Sequence, residues 1–206
     1  MAKKNNQSVE NQTTDATQNR NQTTNCLKLK IENLKTFSAL TDNQKVFFDS
    51  YKRGDYFIAL LGSAGTGKSF CALYRAIEEV LDKGNPFSTL VIVRSAVQTR
   101  DVGFTPGSLE EKLDPYISPS YYLLNKLIGK DTREKLIQSD FIEVQALAYI
   151  RGWNIDNTIL IFEEAQNSTP NQMKLLLTRI GFNSKFFISG DLEQTDRYKD
   201  KTHTGL

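Results

Sequence analysis

The sequence predicts an α/β fold built on a mostly parallel sheet, and three observations predict it. Gly62-Ser63-Ala64-Gly65-Thr66-Gly67-Lys68-Ser69 satisfies the phosphate-loop pattern G-x-x-x-x-G-K-[ST] at every fixed position. An apolar run of strand length, 56–61, precedes this loop, and a helical pattern over 68–81 (KSFCALYRAIEEVL), closed by Gly84, follows it. Further apolar runs at 89–93, 158–162 and 185–189 read as strands buried on both faces, as parallel sheets require.

Composition fits that class. The chain has 206 residues, with 26 Lys and Arg against 24 Asp and Glu, which suits one domain with a sizeable core. A net charge of +2 supplies no whole-protein field for nucleic acid, so such binding would need a local patch. Cys26 and Cys71 fall in no metal-ligand spacing and fit a reducing compartment; Cys71 reads as small core filler. No stretch has the pattern of a signal peptide or a membrane span, and a cytoplasmic location is expected.

Residues 1–30 are dominated by Asn, Gln, Thr and Lys, too polar to offset the entropy of ordering; a disordered leader is expected there, and the folded domain over 31–206. Thr41 and Gln44 have capping-box spacing at the start of a helix reaching about Tyr51. Gln44 has a second reading, as an amide that reads an adenine edge just upstream of the loop. In the loop itself, Gly62, Gly65 and Gly67 permit positive φ, so the backbone from Ser63 and Ala64 to Thr66 can wrap a phosphate at the positive end of the helix dipole. Lys68 is placed to reach the β- and γ-phosphates, and Ser69 to ligate Mg²⁺.

The strand at 89–93 feeds a long polar connection, with Arg94 and Arg100 at its ends, in the position where loops of open α/β sheets carry function. Stretches 107–113 and 121–137 read as helices broken by Pro115, Pro119 and Gly129, and a short strand is expected at 141–144. Trp153, in a polar turn, is either a base-stacking or a packing side chain.

Residues 158–166, TILIFEEAQ, describe a buried strand that delivers two acids at its tip. Beside a phosphate loop, Glu163 would help hold Mg²⁺ through its water shell and Glu164 would orient or deprotonate the attacking water. Ser168-Thr169-Pro170 opens a helix expected to run to Ile180 and stop at Gly181. Arg179, in its last turn, either stabilises the helix dipole or reaches a neighbouring subunit's phosphate. The strand at 185–189 leads into Gly190-Asp191-Leu192-Glu193-Gln194, where Gln194 is placed to contact the γ-phosphate or the attacking water. His203 receives no role.

Five stretches together resemble the PhoH-like family, phosphate-starvation-inducible ATPases related to the motor core of superfamily 1 helicases. They are GSAGTGKS at 62–69, GFTPGSLEEKLDPYISP at 103–119, LAYIRG at 147–152, EEAQNSTPNQMKLLLTRIGFNSK at 163–185 and SGDLEQTD at 189–196. The resemblance implies a three-layer RecA-like P-loop NTPase sandwich that binds ATP and Mg²⁺. By position, Gln44 resembles the adenine-reading glutamine, Lys68 and Ser69 the phosphate and metal residues, Glu163-Glu164 the second acidic motif, and Gln194 the γ-phosphate sensor. Relatives are linked to RNA metabolism and some carry a nuclease domain, which the polar leader does not provide. Two departures matter: Glu163 stands where the family usually has Asp, and the sequence stops at Leu206, about where members continue into another helix and strand. In the usual strand order this exposes the apolar edge at 56–61, in a shortened member that oligomerises or in a fragment.

Two function classes follow. One is an ATPase coupled to single-stranded RNA or another nucleic acid, in a homo-oligomer where Arg179, Arg151 or Arg94 serves a neighbouring site. The other is a nucleotide-dependent switch with little or no hydrolysis. A small-molecule kinase is a distant third, because the acidic pair favours water activation over an acceptor pocket.

Overall fold

The computed structural model describes residues 36–82, 86–95, 109–194 and 204–206 with Leu34 and Gly84, giving the backbone alone over 109–113. The leader, Cys26, Arg100 and His203 lie outside the described residues. Five strands, β1 (Phe57–Leu61), β2 (Thr89–Arg94), β3 (Ile142–Ala146), β4 (Thr158–Glu163) and β5 (Lys185–Gly190), form one sheet in the order β1-β5-β4-β2-β3. Every pairing is parallel, so the sheet is wholly and not just mostly parallel.

Among the described residues five α-helices accompany it: α1 (Asp42–Lys52), α2 (Lys68–Leu81), α3 (Leu109–Ile128), α4 (Lys130–Gln138) and α5 (Pro170–Leu177). The period-2 alternation of the strands divides them between two cores. Leu90, Ile92, Ile159, Ile161 and Phe187 face α1, α2, α3 and α4, whereas Val91, Val93, Leu160, Phe162 and Phe186 face α5. This is the three-layer α/β sandwich expected of the RecA-like P-loop class. Because both faces are covered, all of β4 and β5 is buried.

Two expectations about helices are corrected. Pro115 and Pro119 do not break the chain: α3 runs through both. Four residues apart, the two rings lie on one face of the helix, and both are exposed, so solvent can satisfy the carbonyls they leave unpaired. The break comes at Gly129, with φ of 79°. The second correction concerns α5, which ends at Leu177 instead of Ile180. Beyond it the Arg179 carbonyl accepts the Ile155 N–H at 3.0 Å and Ile180 forms a parallel bridge with Ile155, so the extended segment at 155 captures the backbone groups a further helical turn would need. Arg179 is therefore outside the helix. Trp153 packs partly buried against the α5 side of the core, the packing alternative of its two readings.

Two sheet features bear on the site. β5 lies between β1 and β4, so the turn after β5 emerges between the phosphate loop and the acidic pair. Among the described residues β1 is an edge strand, unpaired on one side, and its Phe57 and Leu61 are 54% and 52% exposed. At the opposite end of β5, Lys185 is buried and donates to both oxygens of Glu79 at 2.6 and 2.8 Å, and the Tyr51 hydroxyl donates to the same carboxylate. Among the described residues no helix is long and apolar enough to cross a membrane.

Candidate active site

The loop at 62–69 follows β1 directly, and the Gly62 N–H donates to Gly190 O at 3.3 Å, which ties it to β5. Gly65 and Gly67 have φ of 76° and 84°, a region that side chains with a Cβ rarely adopt. Gly67 is the N-cap of α2, so the free N–H groups of the first turn open into the loop. Lys68 Nζ donates to the Gly62 and Ser63 carbonyls at 2.6 and 2.7 Å, and Thr66 Oγ1 donates to Ser63 O at 2.9 Å.

Gln44 combines parts of both its readings. Its N–H donates to Thr41 Oγ1 at 3.3 Å, which caps α1, but its Oε1 accepts from Leu40 N at 2.9 Å, so the capping box is not closed in the usual way. Its Nε2 donates to Thr66 O at 2.9 Å. The amide is thus bolted to the phosphate loop, and the helix before β1 is positioned against it.

β4 delivers the acids. Glu163 ends the strand level with Arg94 of β2 and is 2% exposed. Its Oε2 accepts from Ser120 Oγ at 2.9 Å and lies 3.5 Å from Arg94 Nη1. Its Oε1 is buried without a partner among the described residues. Glu164 takes the left-handed conformation, φ 55° and ψ 39°, which turns its side chain out of the strand direction; that side chain is 45% exposed. Glu164 Oε1 lies 3.6 Å from Arg94 Nη2, and Oε2 accepts from Gln166 Nε2 at 2.7 Å. Ser69, Arg94, Glu163 and Glu164 border one open cleft of about 560 Å³, walled on its far side by Pro119 and Tyr122 of α3.

A divalent ion fits this donor set. A buried carboxylate oxygen with no partner costs free energy, and a cation beside it would remove that cost. The described residues hold no cluster of three or more His, Cys, Asp or Glu with metal-binding geometry. Magnesium on a phosphate loop needs none, since water and phosphate supply most of its ligands. Ser120 of α3 is the donor that holds the Glu163 side chain in place.

Gln194 sits in the exposed turn after β5, with its N–H donating to Asp191 O at 3.1 Å. Its backbone carbonyl accepts from Gln166 Nε2 at 3.4 Å. Gln166, 1% exposed, also accepts from Asp191 N at 3.1 Å, so one buried amide joins Glu164 to the turn that carries Gln194. Sequence reasoning assigned Gln166 and Ser120 no role. An amide directly after an acidic strand tip was a usable signal for Gln166, whereas nothing local marks Ser120. Of the three arginines considered for a neighbouring site, Arg94 lies beside the acids of its own chain, Arg179 has a buried Nε, and Arg151 is exposed. Cys71 is buried in the core, and burial raises its thiol pKa, which keeps it an unreactive filler.

Comparison with known proteins gives a consistent result. A sequence model of the family described as "PhoH-like protein" matches residues 36–206. A PhoH-like protein of Bacillus subtilis is 40% identical over 163 residues, covering 79% of this chain and 50% of that protein. A PhoH-like protein of Mycobacterium leprae is 37% identical over 171 residues, covering 82% and 48%. Protein PhoH of Escherichia coli is 34% identical over 138 residues, covering 66% and 38%. The chain spans at most about half the length of these relatives.

Proposed function

Because the chain belongs to the PhoH-like family, we propose that it binds ATP with Mg²⁺ at the 62–69 loop and hydrolyses it, with turnover coupled to single-stranded RNA. The observation that carries the hydrolytic reading is the convergence of Ser69, Glu163 and Glu164 on one cleft, with a buried Glu163 oxygen that has no partner among the described residues.

In this reading the N–H groups of the loop and Lys68 bind the phosphates, replacing the two loop carbonyls that Lys68 now contacts. Ser69 Oγ and Glu163 Oε1 hold the metal, which when bound offsets charge on the phosphate oxygens. Glu164 accepts the proton of the attacking water; it is the more exposed acid and has water access. Gln194 reads the terminal phosphate from the turn after β5, and Gln166 keeps that turn in step with Glu164. Gln44, fixed to Thr66, reads the base. The RNA partner rests on the family resemblance, and assembly into a homo-oligomer is supported by the open edge of β1.

The second reading, a nucleotide switch with little turnover, is favoured by one observation: Arg94 already engages both carboxylates. Nucleotide binding and phosphate release, measured with and without single-stranded RNA for wild type and Lys68→Ala, separate the two. The hydrolase reading expects RNA-stimulated release that Lys68→Ala abolishes. Tight, Lys68-dependent ATP binding without release would establish the switch.

A further inference from the structure

Arg94 makes an unusual partner for the acids of a hydrolytic site. It ends β2 level with Glu163, its guanidinium is 3.5 Å from Glu163 Oε2 and 3.6 Å from Glu164 Oε1, and it borders the same cleft as Ser69. One cation is therefore shared between both carboxylates that the proposed reaction needs for other work. Two features argue against a purely structural pair. Glu163 has a closer partner in Ser120 Oγ at 2.9 Å, so the acid is held without the arginine. The two arginine contacts are also longer than ordinary hydrogen bonds, so charge attracts the guanidinium without the bidentate fork that would lock it.

We propose that Arg94 is a mobile counter-ion, paired with Glu163 and Glu164 until triphosphate and divalent cation enter the cleft, and then transferred to the terminal phosphate. The inference rests on the reading of this cleft as the ATP and Mg²⁺ site. A dication against Glu163 and a guanidinium on the same carboxylate repel each other, and the terminal phosphate is the new anion within the cleft. A planar guanidinium suits phosphate oxygens. Its departure leaves Glu164 with Gln166 alone among these partners, and so free to accept a proton.

The consequence has a definite sign. With a diphosphate bound, no terminal phosphate receives the arginine, so it stays on the acids and opposes the metal. Removing its charge should tighten metal binding in the ADP complex while lowering ATP turnover; a structural role would weaken both.

The test titrates Mn²⁺ by electron paramagnetic resonance into the full chain saturated with ADP, comparing wild type with Arg94→Gln, Arg94→Met and Arg94→Lys. Gln and Met should each tighten Mn²⁺ on the order of tenfold, the size expected when a unit charge about 5 Å from the ion is removed in a wet cleft. Lys, which keeps the charge, should stay within about twofold of wild type by the same reasoning. Gln and Met pack differently, so one variant with wild-type thermal unfolding suffices. ATP turnover of that variant should fall at least about tenfold, the loss of one charge-stabilising group. Unchanged or weaker Mn²⁺ binding, with ADP binding intact and abolished by Lys68→Ala, overturns this inference and leaves the ATP reading standing. ADP binding that ignores Lys68→Ala overturns the ATP reading itself, and the inference with it.

Discussion

Ser120→Ala tests how the second acidic motif is held. Ser120 is fully buried, Glu163 is 2% exposed, and the hydroxyl donates to Glu163 Oε2 at 2.9 Å. Alanine removes that donor and leaves Oε2 with Arg94 at 3.5 Å, while Oε1 has no partner among the described residues. A buried hydrogen bond to a charged acceptor contributes about 1.5–3 kcal/mol net, and one lost oxygen opens little cavity, so the expected loss is about 2 kcal/mol. With a urea slope of about 2–3 kcal/mol/M for a domain of this size, the unfolding midpoint should fall by roughly 0.7–1 M. Adding Glu163→Gln alone and together with Ser120→Ala closes a double-mutant cycle, with an expected coupling of about 1–2 kcal/mol. Additive effects, with coupling below about 0.5 kcal/mol, would refute the reasoning and leave strand register and Arg94 to place the acid.

Three further outcomes are expected. Gly67→Ala forces a Cβ into a φ of 84° and to 3.1 Å from Gln44 Nε2; it should cost about 1–2 kcal/mol in thermal unfolding and abolish ATP binding, and retained binding contradicts the loop geometry. Phe57→Lys places a charge on the open edge of β1; it should reduce concentration-dependent light scattering and cost less than about 1 kcal/mol, since the side chain is already 54% exposed. Burial raises the Glu143 carboxyl pKa, with the Gln145 amide opposing and Asp140 adding to the shift. The native state therefore holds this proton more tightly than the unfolded chain, and stability from this residue is lost as pH rises from the ordinary carboxylate range through the raised native value. Glu143→Gln should accordingly match wild type near pH 3.5 and exceed it near pH 7, roughly the two sides of that window; an equal difference at both pH values contradicts it.

The parts of the fold legible in the sequence are those set by local rules. α2 runs over Lys68–Leu81, as its apolar period and preceding glycine dictate, and the buried strands fall within a residue or two of their apolar runs. Pro115 and Pro119 misled because breaking depends on where the freed carbonyls point, and that is fixed by the exposed face of α3. The end of α5 was misplaced because its competitor, the extended backbone at Ile155, is more than twenty residues away. In the site, the loop and the acids were readable because each is a contiguous motif. Ser120 and Arg94 meet those acids only through the strand order and the path of α3, which no short window encodes, whereas Gln166 lies two residues from Glu164 and its contact is local.

The central claim is hydrolysis by Glu164, and phosphate release from Glu164→Gln at saturating ATP and Mg²⁺ tests it most directly. Glutamine keeps the shape and can still meet Gln166, but it cannot take a proton from water. The expected result is ATP affinity within about threefold of wild type and turnover reduced by about 10²–10⁴. Turnover equal to wild type, with ATP binding intact, would contradict the account and remove Glu164 from the chemistry.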